Sequence, residues 1–328
     1  MILNGHFSDI NFMPQMLMDI EVTPPDISIY KNGNTGIDYV HRFESGYPGP
    51  NITITALVHG NEICGAIALD YLFKMDIHPK IGSLTLCFCN TAAYFSFDQN
   101  YPYASRFIDE DFNRLWTREM LASSRNSQEL SRAKEILPII EQTDILLDLH
   151  SMSDNCPALA LAGIQQKGVD FANSLGIPEY IIVDRGHSAG ARLRDFAPFI
   201  EQGSQKNALL VECGQHWQKN SADVAIQTSL RFLSNQGLLN ERETNTHINP
   251  NDMSPKQHIL YVTDAITVIA DKFNFIKHFA GLDEISKKGT LIGYDGDNPI
   301  LTPYDNCVLI MPLASATKGQ TAVRLARK

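Results

Sequence analysis

Short apolar runs alternate along most of this chain with segments whose apolar residues recur every three or four positions. Runs of the first kind predict strands, and they cover residues 52–58, 84–89, 144–149, 158–162, 180–183 and 208–213. Segments of the second kind predict helices, as at Leu130, Ala133, Leu137 and Ile140. This alternation predicts a three-layer α/β domain around a mostly parallel mixed sheet.

The pattern changes near residue 240. Residues 240–247 are polar and poorly periodic, which predicts a linker. The apolar runs that follow are short and are broken by Gly, Asp, Asn and Pro, and they cover residues 258–262, 265–270, 290–293 and 307–311. We therefore expect one domain over residues 1–245 and a small β-rich domain over residues 246–328.

Composition narrows the classes of partner. The apolar share of 44% and the charged share of 20% are those of a globular protein. The net charge of −10, without a basic block, argues against nucleic acid and anionic membranes. No apolar run approaches the ~20 residues of a membrane span, and residues 1–19 show no signal-peptide pattern. Six scattered cysteines predict reduced thiols and a cytoplasmic location, with Cys87 and Cys89 alternating in a strand rather than binding a metal.

The first candidate functional residues directly follow the first predicted strand, residues 52–58. His59-Gly60-Asn61-Glu62 directly follows the apolar run 52–58, so an imidazole and a carboxylate three residues apart can converge on one point. A further apolar run, 144–149, ends in His150. Two histidines and a glutamate form one of the usual ligand sets of catalytic zinc sites, which keep a further position open for water. We expect His59, Glu62 and His150 to bind one zinc ion per chain.

Four polar residues lie at or just past the carboxyl ends of different predicted strands, where open α/β sheets bind ligands: His59, Asn90, His150 and Glu212. Glu212 ends an otherwise apolar run, and a partly buried carboxyl group there would have a raised pKa. This suits a group that takes a proton from water and returns it. The alternative is a structural ion pair with an arginine.

A strongly charged segment lies between the second and third metal candidates, from Arg106 to Arg114. Mixed charge of this kind is commonly a salt-bridged loop. Arginine also presents a planar fork that binds carboxylates in a bidentate manner. Beside a zinc ion, Asn113 and Arg114 could hold a substrate carboxylate while Arg106 polarises the carbonyl group to be attacked.

These segments together resemble the succinylglutamate desuccinylase/aspartoacylase family, a branch of the zinc carboxypeptidase superfamily. The matching residues follow the family's order over roughly residues 40–215, and they are His59-Gly60-Asn61-Glu62, Arg106 to Asp109, Asp111 to Arg114, Asp148-Leu149-His150 and Glu212-Cys213-Gly214. The resemblance implies a carboxypeptidase-like catalytic domain followed by a small β domain. It also implies zinc ligation by His59, Glu62 and His150, with Glu212 as general acid/base.

The same resemblance implies that Arg106 faces the substrate carbonyl oxygen and that Asn113 and Arg114 hold the substrate carboxylate. The expected activity is zinc-dependent deacylation of an N-acyl amino acid, with a carboxypeptidase acting on short peptides as the alternative. The expected partner is a small carboxylate substrate, and a homo-oligomer is compatible with the sequence. No tyrosine matches the substrate-contacting tyrosine of aspartoacylase, since Tyr304 lies too early. Arg192 and Arg194 are candidates for a second substrate arginine.

Two hypotheses from other functional classes compete with the zinc hydrolase. Gly186-His187-Ser188-Ala189-Gly190 fits the nucleophile elbow of serine hydrolases, with Asp223 and His258 as possible partners of Ser188. Asp184-Arg185 interrupts the strand before it, and this reading leaves Glu62, His150 and Glu212 without roles. The second alternative, a protein that binds a metal without catalysis, would likewise leave Glu212 and Arg106 without a role. The zinc hydrolase is therefore the preferred hypothesis.

Overall fold

The computed structural model describes residues 19–187, 189–239, 241–248 and 256–328. The N-terminal segment, where no signal peptide is expected, lies outside these residues up to position 18. Ser188, the candidate nucleophile of the serine hydrolase hypothesis, also lies outside them. None of the described helices combines the length and the apolarity that a membrane span requires.

Fourteen strands are described. They are β1 Val40–Glu44, β2 Asn51–Ala56, β3 Ser83–Phe88, β4 Ile145–Met152, β5 Leu159–Leu161, β6 Tyr180–Val183, β7 Asn207–Gln215, β8 His258–Thr267, β9 Phe273–Phe275, β10 Glu284–Ile285, β11 Leu291–Asp295, β12 Asn298–Leu301, β13 Cys307–Ile310 and β14 Thr321–Arg327. The described α-helices are α1 Ile63–Lys74, α2 Thr91–Phe95, α3 Arg118–Ala122, α4 Gln128–Gln142, α5 Gln166–Leu175, α6 Ala197–Ile200, α7 Lys219–Asn235 and α8 Glu241–His247. Single 3-10 turns cover Ile27–Tyr30, Ala104–Arg106, Phe112–Arg114 and Leu193–Asp195.

An 11-stranded mixed sheet organises the molecule, in the order β1-β3-β2-β4-β7-β5-β6-β8-β14-β13-β10. Its central strands β3, β2, β4 and β7 run parallel, while β1 and β5 pair antiparallel with β3 and β7. A separate antiparallel sheet contains β12, β11 and β9. This arrangement confirms the predicted fold class: a mostly parallel sheet with helices, followed by a β-rich C-terminal region.

Burial explains why the central strands are apolar throughout. Every residue of β3 is buried, and β2 and β4 are buried beyond their first residue, as expected for parallel strands covered on both faces. Helix α1 packs against α7 and the sheet, and most of its residues are buried. Gly65 allows this close approach, since a Cβ there would lie 2.9 Å from the Cβ of Ala56. All six cysteines are buried and none forms a disulfide.

The C-terminal region joins the main sheet through β8, which pairs parallel with β6. The predicted division at residues 245 and 246 stays a prediction. The segment predicted as a linker instead forms helix α8 over its described residues. Tertiary contacts with α1 and α7 explain this difference: Tyr71 Oη lies 2.9 Å from His247 Nδ1, and Gln227 donates to the His247 carbonyl oxygen.

Candidate metal centre and active site

The turn after β2 brings His59 and Glu62 to the carboxyl edge of the sheet. Leu57 has a positive φ of 59°, a rare conformation for a β-branched or bulky residue. The backbone N–H of Glu62 then donates to the carbonyl oxygen of His59 at 3.2 Å. Glu62 is the N-cap residue of α1 rather than part of its first turn, and its side chain does not cap the helix. Its carboxylate is therefore free to face His59.

Gly60 lets this turn pack tightly against the segment that carries Arg106. A Cβ at Gly60 would lie 2.3 Å from the carbonyl carbon of Ala93 and 2.5 Å from the carbonyl oxygen of Ser105. The N–H of Gly60 also donates to the carbonyl oxygen of Arg106 at 3.0 Å. Only glycine fits between these backbones.

His150 and Glu212 are neighbours on adjacent parallel strands, β4 and β7, where they are register partners. The expectation that both lie at or just past a strand end is wrong in detail, because both strands continue beyond them. Pairing between β4 and β7 continues after a register shift that follows His150, and this extends the strands. The shift falls at the candidate site itself.

The three predicted metal ligands converge. One ligand atom from each of His59, Glu62 and His150 lies within 4.8 Å of the others, and all three residues are buried. The carboxylate of Glu62 bridges the two imidazoles: its Oε1 is 2.7 Å from His59 Nδ1, and its Oε2 is 2.8 Å from His150 Nδ1. The sequence prediction that these side chains meet at one point is in accord with this geometry.

Each imidazole also meets a carboxylate at its outer nitrogen. His59 Nε2 is 3.0 Å from Asp111 Oδ1, and His150 Nε2 is 2.9 Å from Asp148 Oδ2. A neutral imidazole has one N–H and can donate to only one of its two carboxylates. A divalent cation held by His59, Glu62 and His150 would leave each imidazole to donate its outer N–H to its own carboxylate, as metal-bound histidines commonly do. The residues present therefore fit a zinc ion.

Charges around this cluster keep its acids ionised. Burial raises the pKa of Glu62, but His59 and His150 outweigh it and hold the pKa well below the usual range. Burial likewise raises the pKa of Asp111, and His59, Arg106 and Arg114 together bring it well below normal. Burial lowers the pKa of His150, whereas Asp148 and Glu62 raise it well above the usual value. The ionised carboxylates of Glu62 and Asp111 therefore give the cluster the negative charge that favours a bound cation.

Glu212 differs from the other acids. It is buried, and its Oε2 has no hydrogen-bond partner among the described residues. Burial raises the pKa of Glu212 to about 8, against the opposing effect of His150. The alternative of a structural Glu–Arg pair is not seen among the described ion pairs. An unpartnered buried carboxyl oxygen beside the His–Glu–His cluster can take up or release a proton there.

Arg106 projects over the cluster with about a third of its side chain exposed. Its Nη2 lies 2.9 Å from His59 Nε2 and 3.4 Å from Asp111 Oδ2, and its Nη1 lies 3.5 Å from Glu62 Oε1. His59 Nε2 cannot donate to Asp111 and accept from Arg106 at once. The contacts of Arg106 therefore depend on which ring nitrogen of His59 carries the proton.

Sequence reasoning missed the residue that holds the Arg106 segment in place. Glu129 in α4 is fully buried and accepts hydrogen bonds from the backbone N–H groups of Ile108, Asp109 and Glu110, at 2.7, 3.0 and 3.2 Å. Asn90, a strand-end candidate, donates to the same carboxylate at 3.0 Å. In the sequence, Glu129 looks like an ordinary acid in the first turn of a helix. Nothing local marks it as an anchor.

Asn113 and Arg114 lie in the next turn, beside the cluster. Asn113 Oδ1 accepts from the N–H of Leu193 at 2.7 Å, and Arg114 Nη1 donates to the carbonyl oxygen of Asn113. Arg114 Nη2 is 3.6 Å from Asp111, and about a quarter of its side chain is exposed. Burial lowers the pKa of Arg114, while Asp111 opposes this effect. This partly exposed guanidinium can therefore contact an anion beside the cluster.

The other candidates have internal partners. Arg192 binds both carboxylate oxygens of Asp184, at 2.7 and 3.0 Å, and contacts Asp195 as well. Arg194 donates to Asp195 and to the carbonyl oxygens of Ala162 and Ala208. Both side chains are buried in these contacts and stabilise the fold. The hydroxyl of Tyr304 lies 2.7 Å from Thr263 Oγ1, within the C-terminal region.

The serine hydrolase hypothesis gains no support from the described residues around Ser188. Strand β6 is followed by a loop and the 3-10 turn Leu193–Asp195, whereas a nucleophile elbow leads from strand to helix. His258, the candidate histidine of that hypothesis, lies 3.7 Å from Glu179 and stacks on the ring of Tyr180.

Comparison with known proteins identifies the family. The family described as "Succinylglutamate desuccinylase/Aspartoacylase catalytic domain" matches residues 48–235, more than half of the chain. The chain belongs to this family. Its members are amide-deacylating hydrolases, so the protein is a hydrolase of the deacylating class. The matched segment contains every predicted site residue. No match was found among curated protein sequences.

Solved structures share the fold at low sequence identity. Succinylglutamate desuccinylase from Vibrio cholerae is 18% identical, with a TM-score of 0.64 over 89% of this chain and 86% of that one. A putative succinylglutamate desuccinylase/aspartoacylase from Shewanella frigidimarina is 19% identical, with a TM-score of 0.63 over 87% and 91% of the two chains. The ectoine utilization protein EutE (DoeB) from Ruegeria pomeroyi, a product-bound structure, is 15% identical, with a TM-score of 0.61 over 88% of each chain. These similarities extend beyond the segment of the family match, residues 48–235.

Proposed function

We propose that this family member is a zinc-dependent, cytoplasmic deacylase that cleaves the amide bond of a small N-acyl amino acid. The observation that carries the proposal is the position of Glu212. Its Oε2 is buried and has no hydrogen-bond partner among the described residues. Glu212 is the register partner of His150, whose imidazole contacts the carboxylate of Glu62. Membership in a deacylating family supports the reaction class. The partly exposed guanidiniums of Arg106 and Arg114 beside the cluster support a substrate that carries a carboxylate.

One zinc ion would be held by His59, Glu62 and His150. When bound, it would supply Lewis acidity toward the carbonyl group and lower the pKa of water at the site. Asp111 and Asp148 would orient the two imidazoles through their outer nitrogens. The low pKa of Glu62 keeps this ligand deprotonated across the neutral range.

Glu212 would carry the proton. Its Oε2 would accept a proton from the attacking water and deliver it to the leaving amine nitrogen, so that one group acts first as base and then as acid. Burial raises the pKa of this carboxyl group to about 8, close enough to neutral pH for one group both to take up and to release a proton. The absence of a hydrogen-bond partner among the described residues leaves the oxygen free for both transfers.

The arginines would position the substrate. Arg106, with its guanidinium next to His59, would donate to the carbonyl oxygen as negative charge develops there. Arg114 would bind the carboxylate of the amino acid, and the amide group of Asn113 would stand beside it. Asn113 Oδ1 already holds the backbone of Leu193, which fixes the orientation of this side chain.

An activity screen with metal analysis tests the proposal. The zinc-loaded protein is assayed against a panel of N-acyl amino acids and, in parallel, short peptides with free carboxyl termini. We expect hydrolysis of N-acyl amino acids, loss of activity with a chelator, and recovery on addition of zinc. His59→Ala and His150→Ala should lose bound zinc, whereas the control His258→Ala, on strand β8, should keep it. Undiminished zinc in both site variants would overturn the metal assignment.

The same panel separates the alternatives. Hydrolysis confined to the peptides would favour a carboxypeptidase. Inhibition by serine-directed reagents, with insensitivity to chelation, would favour the serine hydrolase. Arg114→Ala should raise KM for carboxylate substrates with a small effect on kcat, because its interaction is made in the ground state and the transition state alike.

A further inference from the structure

The strand that carries Glu212 contains a β-bulge just beyond this residue. Between His150 and Met152, β4 advances two residues while β7 advances three, from Glu212 to Gln215. An extra residue of this kind re-aims the side chains next to it, and such bulges are common beside active sites. Gly214 lies in the bulge with a φ of 121°, a conformation that favours glycine. The bulge therefore decides which way the side chains after Gln215 point.

His216 is the first residue after β7, and its imidazole contacts the residue that follows a proposed metal ligand. Its Nδ1 lies 2.8 Å from the hydroxyl oxygen of Ser151, and its Nε2 lies 3.3 Å from that of Ser153. The backbone N–H of Ser151 in turn donates to Oε2 of Glu62 at 3.2 Å. A chain of hydrogen bonds thus runs from His216 through Ser151 to Glu62, and all three residues are buried.

The next residue, Trp217, supports the same turn from its backbone. The indole N–H of Trp217 donates to the carbonyl oxygen of Asn61 at 3.3 Å, and the ring is buried. Asn61 directly precedes Glu62 in the chain. The consecutive residues His216 and Trp217 therefore both connect to Glu62, by separate routes.

The imidazole of His216 carries no charge at neutral pH. Burial lowers the pKa of His216 to about 3, against the opposing effect of Glu62. A neutral imidazole has one N–H and one acceptor nitrogen, and a hydroxyl group can serve as the partner of either. Ser151 and Ser153 therefore satisfy both ring nitrogens in either tautomer. Such a ring holds Ser151 without adding a positive charge that would compete with a cation for Glu62.

We propose that His216 is a positioning residue for the metal ligand Glu62, acting through Ser151. This inference rests on the proposed function, because Glu62 is a ligand only if the cluster binds zinc. Carboxylates that bind metals are themselves oriented by hydrogen bonds from outer partners. The N–H of Ser151 is such a partner, and His216 fixes Ser151. His216 itself is neither a ligand nor a proton carrier.

Two substitutions separate the two contacts of the ring. Asparagine places its amide group close to the position of Nδ1, so His216→Asn can keep the contact with Ser151. Glutamine places its amide group close to the position of Nε2, so His216→Gln can keep only the contact with Ser153. Competition with a chromogenic chelator measures zinc affinity. We expect a loss of about tenfold for His216→Gln, as for other outer partners of metal ligands, and recovery of most of this loss in His216→Asn.

Ser151→Ala tests the other end of the same contact, because it removes the hydroxyl group and keeps the backbone N–H. It should lower zinc affinity as much as His216→Gln does. The double variant should lose no more than either single variant, since both break one chain of contacts. The matched control is Ser229→Ala, which deletes a buried hydroxyl group that donates to the carbonyl oxygen of Ala225 within α7. It should keep the wild-type affinity.

Kinetics at saturating zinc provide a second readout, and chemical denaturation verifies that each variant is folded. His216→Gln should lower kcat and leave KM nearly unchanged, because the displaced carboxylate of Glu62 lies at the reaction centre and Arg114 still anchors the substrate. If His216→Gln does not fold, the smaller change Ser151→Ala decides the question.

Equal zinc affinities of His216→Asn and His216→Gln, or an unchanged affinity in Ser151→Ala, would overturn the positioning role. If the wild type binds zinc but hydrolyses no N-acyl amino acid, the proposed function fails, and the affinity comparison still decides the role of His216. A wild type that binds no zinc overturns both.

Discussion

Asp148 stands two residues before His150 on β4, and its Oδ2 lies 2.9 Å from Nε2 of that imidazole. Residues i and i+2 of a strand share a face, so the backbone itself places the acid beside the histidine. Thr55 on the neighbouring strand β2 donates to the other oxygen of Asp148 at 2.7 Å. The sheet thus fixes the ring orientation of a proposed metal ligand through two adjacent strands.

Replacing this acid should weaken metal binding. Asp148→Asn keeps the size of the side chain but removes the negative charge beside Nε2 of His150. Loss of such outer partners typically costs 10- to 100-fold in metal affinity, and we expect zinc affinity to fall by about that factor. Competition with a chromogenic chelator measures it. Asp170→Asn, on the exposed face of α5, is the control, and equal affinities for the two variants would contradict the role of Asp148.

Glu212→Gln should separate turnover from metal binding. Glutamine has nearly the same shape and cannot carry the proton, so kcat should fall by about 10²- to 10⁴-fold. Zinc content should stay at the wild-type level, because Glu212 is not among the three proposed ligands. Steady-state kinetics and elemental analysis provide the two measurements, with Glu179→Gln as the control. Near-normal turnover would mean that another acid, such as Glu110 or Asp148, moves the proton.

Glu129→Gln should loosen the segment that carries Arg106. The carboxylate accepts three backbone N–H groups and the Asn90 amide, and glutamine offers a single oxygen for them. We expect the free energy of unfolding to fall by about 1–3 kcal/mol, the usual cost of leaving buried donors unpaired.

Activity should report the same loosening. Because Arg106 faces the developing charge, kcat should fall while zinc content stays unchanged. Glu141→Gln, half exposed at the end of the same helix, is the control for both measurements. A destabilised Glu129→Gln protein with wild-type kcat would show that Glu129 acts on the fold alone.

Gly60→Ala tests the close packing under the His59 turn. The added methyl group would meet the backbone of Ala93 at 2.3 Å, and backbone cannot move aside as a flexible side chain can. We expect a loss of about 1–3 kcal/mol in unfolding free energy, as in other overpacked sites. Weaker zinc binding should accompany it. Gly203→Ala is the matched control, since a Cβ there meets nothing within 4 Å. Chemical denaturation compares the two.

The sequence predicted the central part of the site because local signals coincide there. His59 and Glu62 are three residues apart after a strand, and His150 interrupts an apolar run, so each is visible without knowledge of the fold. The strand order was not predictable in the same way. It depends on which strands lie side by side, as β4 and β7 do, and on a register shift after His150 that no local pattern encodes.

The supporting residues escaped prediction for a related reason. Glu129 looks like an acid that favours a helix N-terminus, and its true partners lie in a loop about 20 residues earlier. Arg192 and Arg194 looked like substrate arginines, yet Asp184 and Asp195 hold them inside the fold. Long-range pairing decides each of these roles, and single-sequence patterns report only on near neighbours.

The parallel pairing of β6 with β8 has a consequence for any shortened form of the protein. A chain ending after α7, where the family match stops, would keep the pairing of β6 with β5 but would leave the other edge of β6 without its partner strand β8. Open strand edges of this kind recruit other chains. The same cut would strip Arg324 from Asp184. We therefore expect the N-terminal portion, expressed alone, to self-associate through β6, and the intact C-terminal strands to act as its edge protection.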